Sequence, residues 1–281
     1  MNFQPSVPIG GLAGWRMLQR TFDRQSESFQ NSAVLKRETD HFRAKISTVT
    51  TAAELVADRQ LLKVALGAFG LEEDLNKGYF IRKVLEEGTL AADSMANRLV
   101  DKRYAKFASA FAFDSPLGPR TARTAFPDEI INAYQTRSFE VAVGDSDENL
   151  RLALTFSREF AAVSTQTSDN NTAWYTMLGN PPVRKVIELA LNLPKEFALV
   201  DIDRQVSTLK EKFRTKLGSD NLADLQTPER IQDIVDRFLV RSQVESTGTK
   251  VSGQSVALSI LQAGNTPLGS GTLEAILALR Y

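Results

Sequence analysis

The chain has 281 residues, 42% of them hydrophobic and 24% charged, and its 34 basic and 34 acidic side chains cancel to a net charge of zero. This is the length at which one core begins to divide in two, with an ordinary globular composition and no global field to draw nucleic acid or an anionic membrane. Cysteine is absent, which excludes disulfides, zinc ribbons, iron–sulfur centres and thiol nucleophiles.

Residues 1–14 carry two prolines together with Gly10, Gly11 and Gly14, and read as an extended tail. Met1 to Trp15 has neither a basic stretch nor a long apolar run, so no secretory signal is expected. No segment approaches the roughly 18 apolar residues of a membrane span. From Trp15 the apolar positions Leu18, Phe22 and Phe29 predict a long amphipathic helix. A second helix is expected from about Ser32 to Ile46, with Leu35, Phe42 and Ile46 on one side. Thr51 with Glu54 three residues on is a capping box for a short helix. Asp58 opens the strongest helix of the first half and Gly70 ends it. Further helices are expected at about 72–87, 93–101 and 101–112, and the basic cluster Lys102, Arg103 and Lys106 reads as a solvated helix face.

Residues 114–127 hold three prolines and read as a connector. Pro127, Asp128 and Glu129 suit a helix N-terminus. A helix is expected around 147–163, then sharp starts at Asn180-Pro181-Pro182 and Thr227-Pro228-Glu229, the latter opening Ile231, Ile234, Val235, Phe238 and Leu239 at helical spacing. After Ser246 the composition turns to Thr, Gly, Ser and Lys, a linker before apolar segments at 255–261 and 273–279.

Residues 50–75 and 172–197 align without a gap, 122 positions apart: Thr50 with Thr172, Lys63 with Lys185, Val64 with Val186, Ala68 with Ala190 and Leu71 with Leu193. The capping positions align as well, Asp58 with Asn180 and Gly70 with Asn192. With no alternating β-branched runs before residue 245, the fold class is all-α: a multi-helical body of two similar helical units from an internal duplication, with flexible termini. The expected divisions are an extended tail at 1–14, units at 15–126 and 127–245, and a linker with apolar segments at 246–281.

The residues offer little chemistry. The sole histidine, His41, stands beside Asp40 and reads as a surface residue rather than a general base. Ser207 and Lys210 have a serine–lysine spacing without companion motifs. Asp201 and Asp203 lack a preceding strand, and Asp145, Asp147 and Asn149 begin like a calcium loop that has no glycine turn or closing glutamate. Gly10-Gly11-Leu12-Ala13-Gly14 lacks the spacing of a dinucleotide fingerprint. No catalytic, cofactor-binding or metal-binding residues are assigned, and no enzymatic activity is expected. Two apolar ends remain as candidate partner-binding segments: Gly10, Gly11, Gly14 and Trp15, unless Trp15 packs in the core, and Leu273, Ile276, Leu277 and Leu279.

PSVPIGGLAGWRMLQRTFDRQ at the start, DRQLLKVALGAFGLEEDLNKGYFIRKVLEEGT from Asp58, NPPVRKVIELALNLP from Asn180 and FLVRSQ from Phe238 resemble an alphaproteobacterial family of unknown function found among flagellar genes. The resemblance covers most of residues 3–245 and brings no catalytic residues. It implies an accessory, assembly or exported component of the flagellum, whose partners are other proteins, flagellar components, and neither nucleic acid nor inserted membrane. The expected location is the cytoplasm, or the flagellum after export without a cleaved signal. The alternative is a ligand-binding regulator or enzyme with a pocket between the two units, to which Arg59, Lys63, Arg184 and Lys185 would bring charge.

Overall fold

Local capping chemistry sets the first-half helices. The computed structural model describes residues 3–166 and 169–250. They fold into thirteen α-helices and five short 3-10 turns, with no strand among the described residues. The fold is all-α. In chain order the helices are α1 (Gly11–Gln30), α2 (Ala33–Lys45), α3 (Ala52–Ala57), α4 (Arg59–Gly67), α5 (Gly78–Glu87), α6 (Met95–Arg98) and α7 (Arg103–Phe111). They continue with α8 (Phe126–Gly144), α9 (Glu148–Gln166), α10 (Asn170–Leu178), α11 (Pro181–Ala190), α12 (Ile202–Leu217) and α13 (Pro228–Lys250).

The Thr51–Glu54 capping box forms at the head of α3. Asp58 caps α4 by accepting from the backbone N–H groups of Gln60 and Leu61. Gly70 and Asn192, with φ of 70° and 55°, lie just past α4 and α11 in the left-handed region that both residue types tolerate. The closing bonds correspond too: Leu71 N–H donates to the Leu66 carbonyl at 3.0 Å, and Leu193 N–H to that of Glu188 at 2.8 Å. The starts differ. Asn180 precedes α11 as Asp58 precedes α4, but its side chain makes no capping bond. Pro181 and Pro182 occupy the first two helical positions and have no N–H to give.

Several boundaries depart from the sequence expectation. The tail does not run to residue 14: α1 begins at Gly11, and residues 3–10 fold back along it, with Ser6 N–H donating to Gln25 Oε1 at 2.7 Å. The helix expected over 72–87 is split into a 3-10 turn at Glu72–Asp74 and α5, with a turn at Leu75 and Asn76 between them, where Arg59 donates to Asn76 Oδ1. The pair expected at 93–112 shortens to α6 and α7. The linker does not begin at 246, since α13 continues through Lys250. The basic cluster is not a solvated face: Lys102 donates to the carbonyls of Asn97 and Leu99, Arg103 pairs with Asp101, and Lys106 reaches Glu159.

Two apolar cores form, and each borrows a helix from the other half of the chain. The first gathers α2 to α5 and α7 through residues such as Phe42, Leu55, Val64, Ile81 and Phe111, and is closed by Phe126, Ile130, Ile131 and Tyr134 of α8. The second gathers α9 to α13 through Phe156, Trp174, Val186, Phe213 and Phe238, and takes in Trp15 and Leu18 of α1 and Phe139 and Val143 of α8. α8 therefore spans both cores along its length, and the seam between them runs beside its middle turns.

Candidate functional site

Ionisable side chains meet where the two cores join. Arg137 on α8 follows Ile130 and Tyr134 on the inward stripe, and its Nη2 donates to Glu159 on α9. Arg158 makes two parallel bonds to Glu140, 2.7 Å from Nε to Oε1 and 2.9 Å from Nη2 to Oε2, and a third to Glu159. Thr155 Oγ1 donates to Glu140, and Lys106 of α7 completes the ring on Glu159 at 3.4 Å. Burial by itself would raise the Glu159 carboxyl; the surrounding Arg137, Arg158 and Lys106 outweigh it and bring the group down to about 2. Arg137 lies below its ordinary value, from its burial and then the like charge of Arg158. Arg158 donates from all three of its nitrogens, whereas Arg137 donates from Nη2 alone.

Cavities open on both sides of this network. The upper one, about 420 Å³, lies between the α1–α2 turn and α8, with Phe3, Phe29 and Leu35 at its apolar end and Glu38, Lys63 and Arg137 at its charged end. Glu38 accepts from Lys63 and from Tyr134, each at 2.5 Å. The Tyr134 hydroxyl is pushed up by burial and then by that carboxylate. The lower cavity, about 350 Å³, is lined by Glu72, Asp74, Arg103, Arg151, Pro182 and Lys185. A throat of about 20 Å³ shares Glu72 and Arg137 with the upper cavity, and Gly70, Arg103, Arg151 and Pro182 with the lower. Gly70 lines it with a φ of 70°, and a Cβ there would lie 3.2 Å from Arg137 Nη1 and 3.5 Å from Arg103 Nη1. Asn180 also lines the throat. Among the described residues its Oδ1 is the buried side-chain polar atom that finds no hydrogen-bond partner.

The family described as a protein of unknown function, DUF1217, matches residues 68–231. The chain belongs to that family. It is also similar to a crystal structure of protein AGR_C_984 from Agrobacterium tumefaciens, with 26% sequence identity and a TM-score of 0.69 over 86% of this chain and 99% of that one. No curated protein matches the chain. The DUF1217 region includes the whole ionic network and the throat, from Gly70 to Pro182.

The candidate N-terminal segment precedes the DUF1217 match and is taken up inside the fold. Trp15 is 3% exposed and donates from Nε1 to Gln232 Oε1 at 3.3 Å. Gly11, with φ of 65°, donates to Asp147 and lies so close to Gln243 that a Cβ would overlap its amide. Gly14 packs against the Ile9 carbonyl, and Gly10, though exposed, stands next to the Asp147 carboxylate. Gly11, Gly14 and Trp15 are thus internal contacts, which corrects their reading as an adhesive segment. Leu273, Ile276, Leu277 and Leu279 lie outside the described residues.

Other singled-out residues have structural work. His41 pairs with Asp58 through Nε2 at 2.9 Å, not with Asp40. Asp147 accepts from the backbone at the head of α9, and Asp201 caps α12. Ser207 bonds back to the Asp203 carbonyl, and Lys210 donates to Asn171. Of the four cations expected in an inter-unit pocket, Lys63 lines the upper cavity and Lys185 the lower. Arg59 is tied to Asn76, and Arg184 to Glu188 and Gln205. Among the described residues no group of three or more His, Cys, Asp or Glu side chains converges to hold a metal ion, and no helix is long and apolar enough to cross a membrane. The sequence reading missed Arg137, Glu140, Arg158 and Glu159. The available signal was an arginine falling on the apolar stripe of α8.

Proposed function

We propose that this DUF1217 protein is a non-enzymatic helical interaction protein, an accessory, assembly or exported component of the bacterial flagellum. The observation that carries the interaction reading is uncovered apolar surface at the α10–α12 corner. Leu199 is 86% exposed, and Val200, Ile202 and Tyr175 are exposed beside it, with the Tyr175 hydroxyl bonded to Asp203 at 2.5 Å. Adjacent apolar side chains left in water are a feature of docking surfaces. The flagellar assignment rests on the resemblance carried by the blocks at Pro5, Asp58, Asn180 and Phe238. The test is an affinity pull-down of the full chain from motile cells with mass spectrometry, beside a Leu199→Asp/Ile202→Asp double variant. Flagellar components enriched by the parent and lost from the variant are the expected result. No flagellar enrichment, or enrichment indifferent to the double substitution, would overturn it.

The adjoining cavities favour a second reading, a ligand-binding regulator or enzyme with its pocket at the junction. Volumes of about 420 and 350 Å³ fall within the range of small-molecule sites. A thermal-shift screen of nucleotides and metabolites tests it, and a flat screen counts against it.

A further inference from the structure

The throat brings together unmet hydrogen-bonding groups of both signs. On the donor side, Arg137 uses only Nη2, for Glu159, while its Nη1 faces the space beside Gly70. Arg151 uses Nε and Nη2, for Glu148, and leaves Nη1. On the acceptor side, Asn180 is 7% exposed with an unpartnered Oδ1, and the Glu72 carboxylate accepts no hydrogen bond among the described residues although it lines all three cavities. A buried acceptor without a partner costs about 1–3 kcal/mol, and Asn180 gains no capping bond in exchange.

A simple anion would answer the guanidinium groups and leave Asn180 and Glu72 unmet, and a simple cation would do the reverse. From this pairing we infer that the junction binds a small zwitterion of the α-amino acid class, its ammonium held by Asn180 and Glu72 and its carboxylate by Arg137 and Arg151. The throat admits a group no larger than a water, so the ligand lies in the lower cavity with its charged end at the mouth of the throat and Lys185 at the cavity wall. Gly70 shapes the throat, since a larger residue would be strained at a φ of 70° and would press on the Arg137 guanidinium. The inference rests on the second reading above and is independent of the apolar corner at Leu199.

The test uses the full chain, with thermal shift against each of the twenty L-amino acids, phosphate, acetate, methylamine and a nucleotide panel, and calorimetry on whatever binds. One or a few amino acids should raise the Tm saturably. The matching amine without the carboxylate, and the matching acid without the ammonium, should not. Asn180→Ala loses no hydrogen bond and should fold as the parent does while weakening Kd about ten-fold or more; Arg151→Gln should do likewise. An amino acid that binds both variants as tightly as the parent, or an acid analogue or phosphate that binds as well as the amino acid, would overturn the inference. So would a shift by nucleotides alone, which leaves the pocket reading standing. No shift by any compound sinks both and leaves the throat to water, for which its volume suffices.

Discussion

Glu159→Gln should cost about 3–5 kcal/mol at neutral pH, because it strips the shared carboxylate from Lys106, Arg137 and Arg158 and leaves the buried Arg137 beside a neutral amide. The titration gives a second route to the size. The Glu159 carboxyl lies near 2 in the folded protein against an ordinary 4.5, and at about 1.4 kcal/mol per tenfold change this amounts to about 3 kcal/mol. The sign comes from the depressed value: the contribution is complete above about pH 4.5 and is lost as pH falls toward 2. Urea unfolding of the parent and the variant at pH 7, 5, 4 and 3 reads both quantities. The gap between them should be full at pH 7 and 5 and narrow by about 2 kcal/mol at pH 3. A gap of the same size at pH 3 as at pH 7, or one below about 1 kcal/mol throughout, would refute the reasoning.

Two further outcomes are expected. Trp15→Ala should lower stability by about 3–5 kcal/mol by emptying a site in the second core; a loss under about 1 kcal/mol would mean the indole is not held there. Asp58→Ala removes the cap of α4 and the partner of His41 together, and should cost about 1–2 kcal/mol. The Asp58 carboxyl, which burial would raise, is held below its ordinary 3.8 by His41 and the N–H groups of Leu61 and Gln60. Its contribution is therefore present above about pH 3.8 and lost below it, so the Ala variant should be the less acid-sensitive of the two in a pH-scanned melt.

Features that depend on near neighbours were legible in the residues. The capping box at Thr51, the Asp58 cap and the ending at Gly70 each involve residues within a few positions, and all are present. Asn180 does not cap as its position suggests: Pro182 at the second helical position has no N–H, and no bond to the third, Val183, is made. The junction was illegible for a different reason. Lys106 and Glu159 are 53 residues apart, and Gly11 and Asp147 are 136 apart; no periodicity links positions so distant. The glycines of the opening segment looked like freedom and proved to be close contact, a distinction that the neighbours Gln243, Asp147 and Ile9 decide.

The seating of α1 against α13 sets an order on biosynthesis. Trp15 meets Gln232 across 217 positions, and Arg16 meets Asp236 across 220. At ordinary rates of synthesis those partners emerge roughly 10–45 seconds later. α1 therefore leaves the ribosome well before the helix it packs against. During that interval the nascent chain carries Trp15 and Leu18 without the full core that will cover them, which makes α1 a segment that chaperones should hold until α13 arrives.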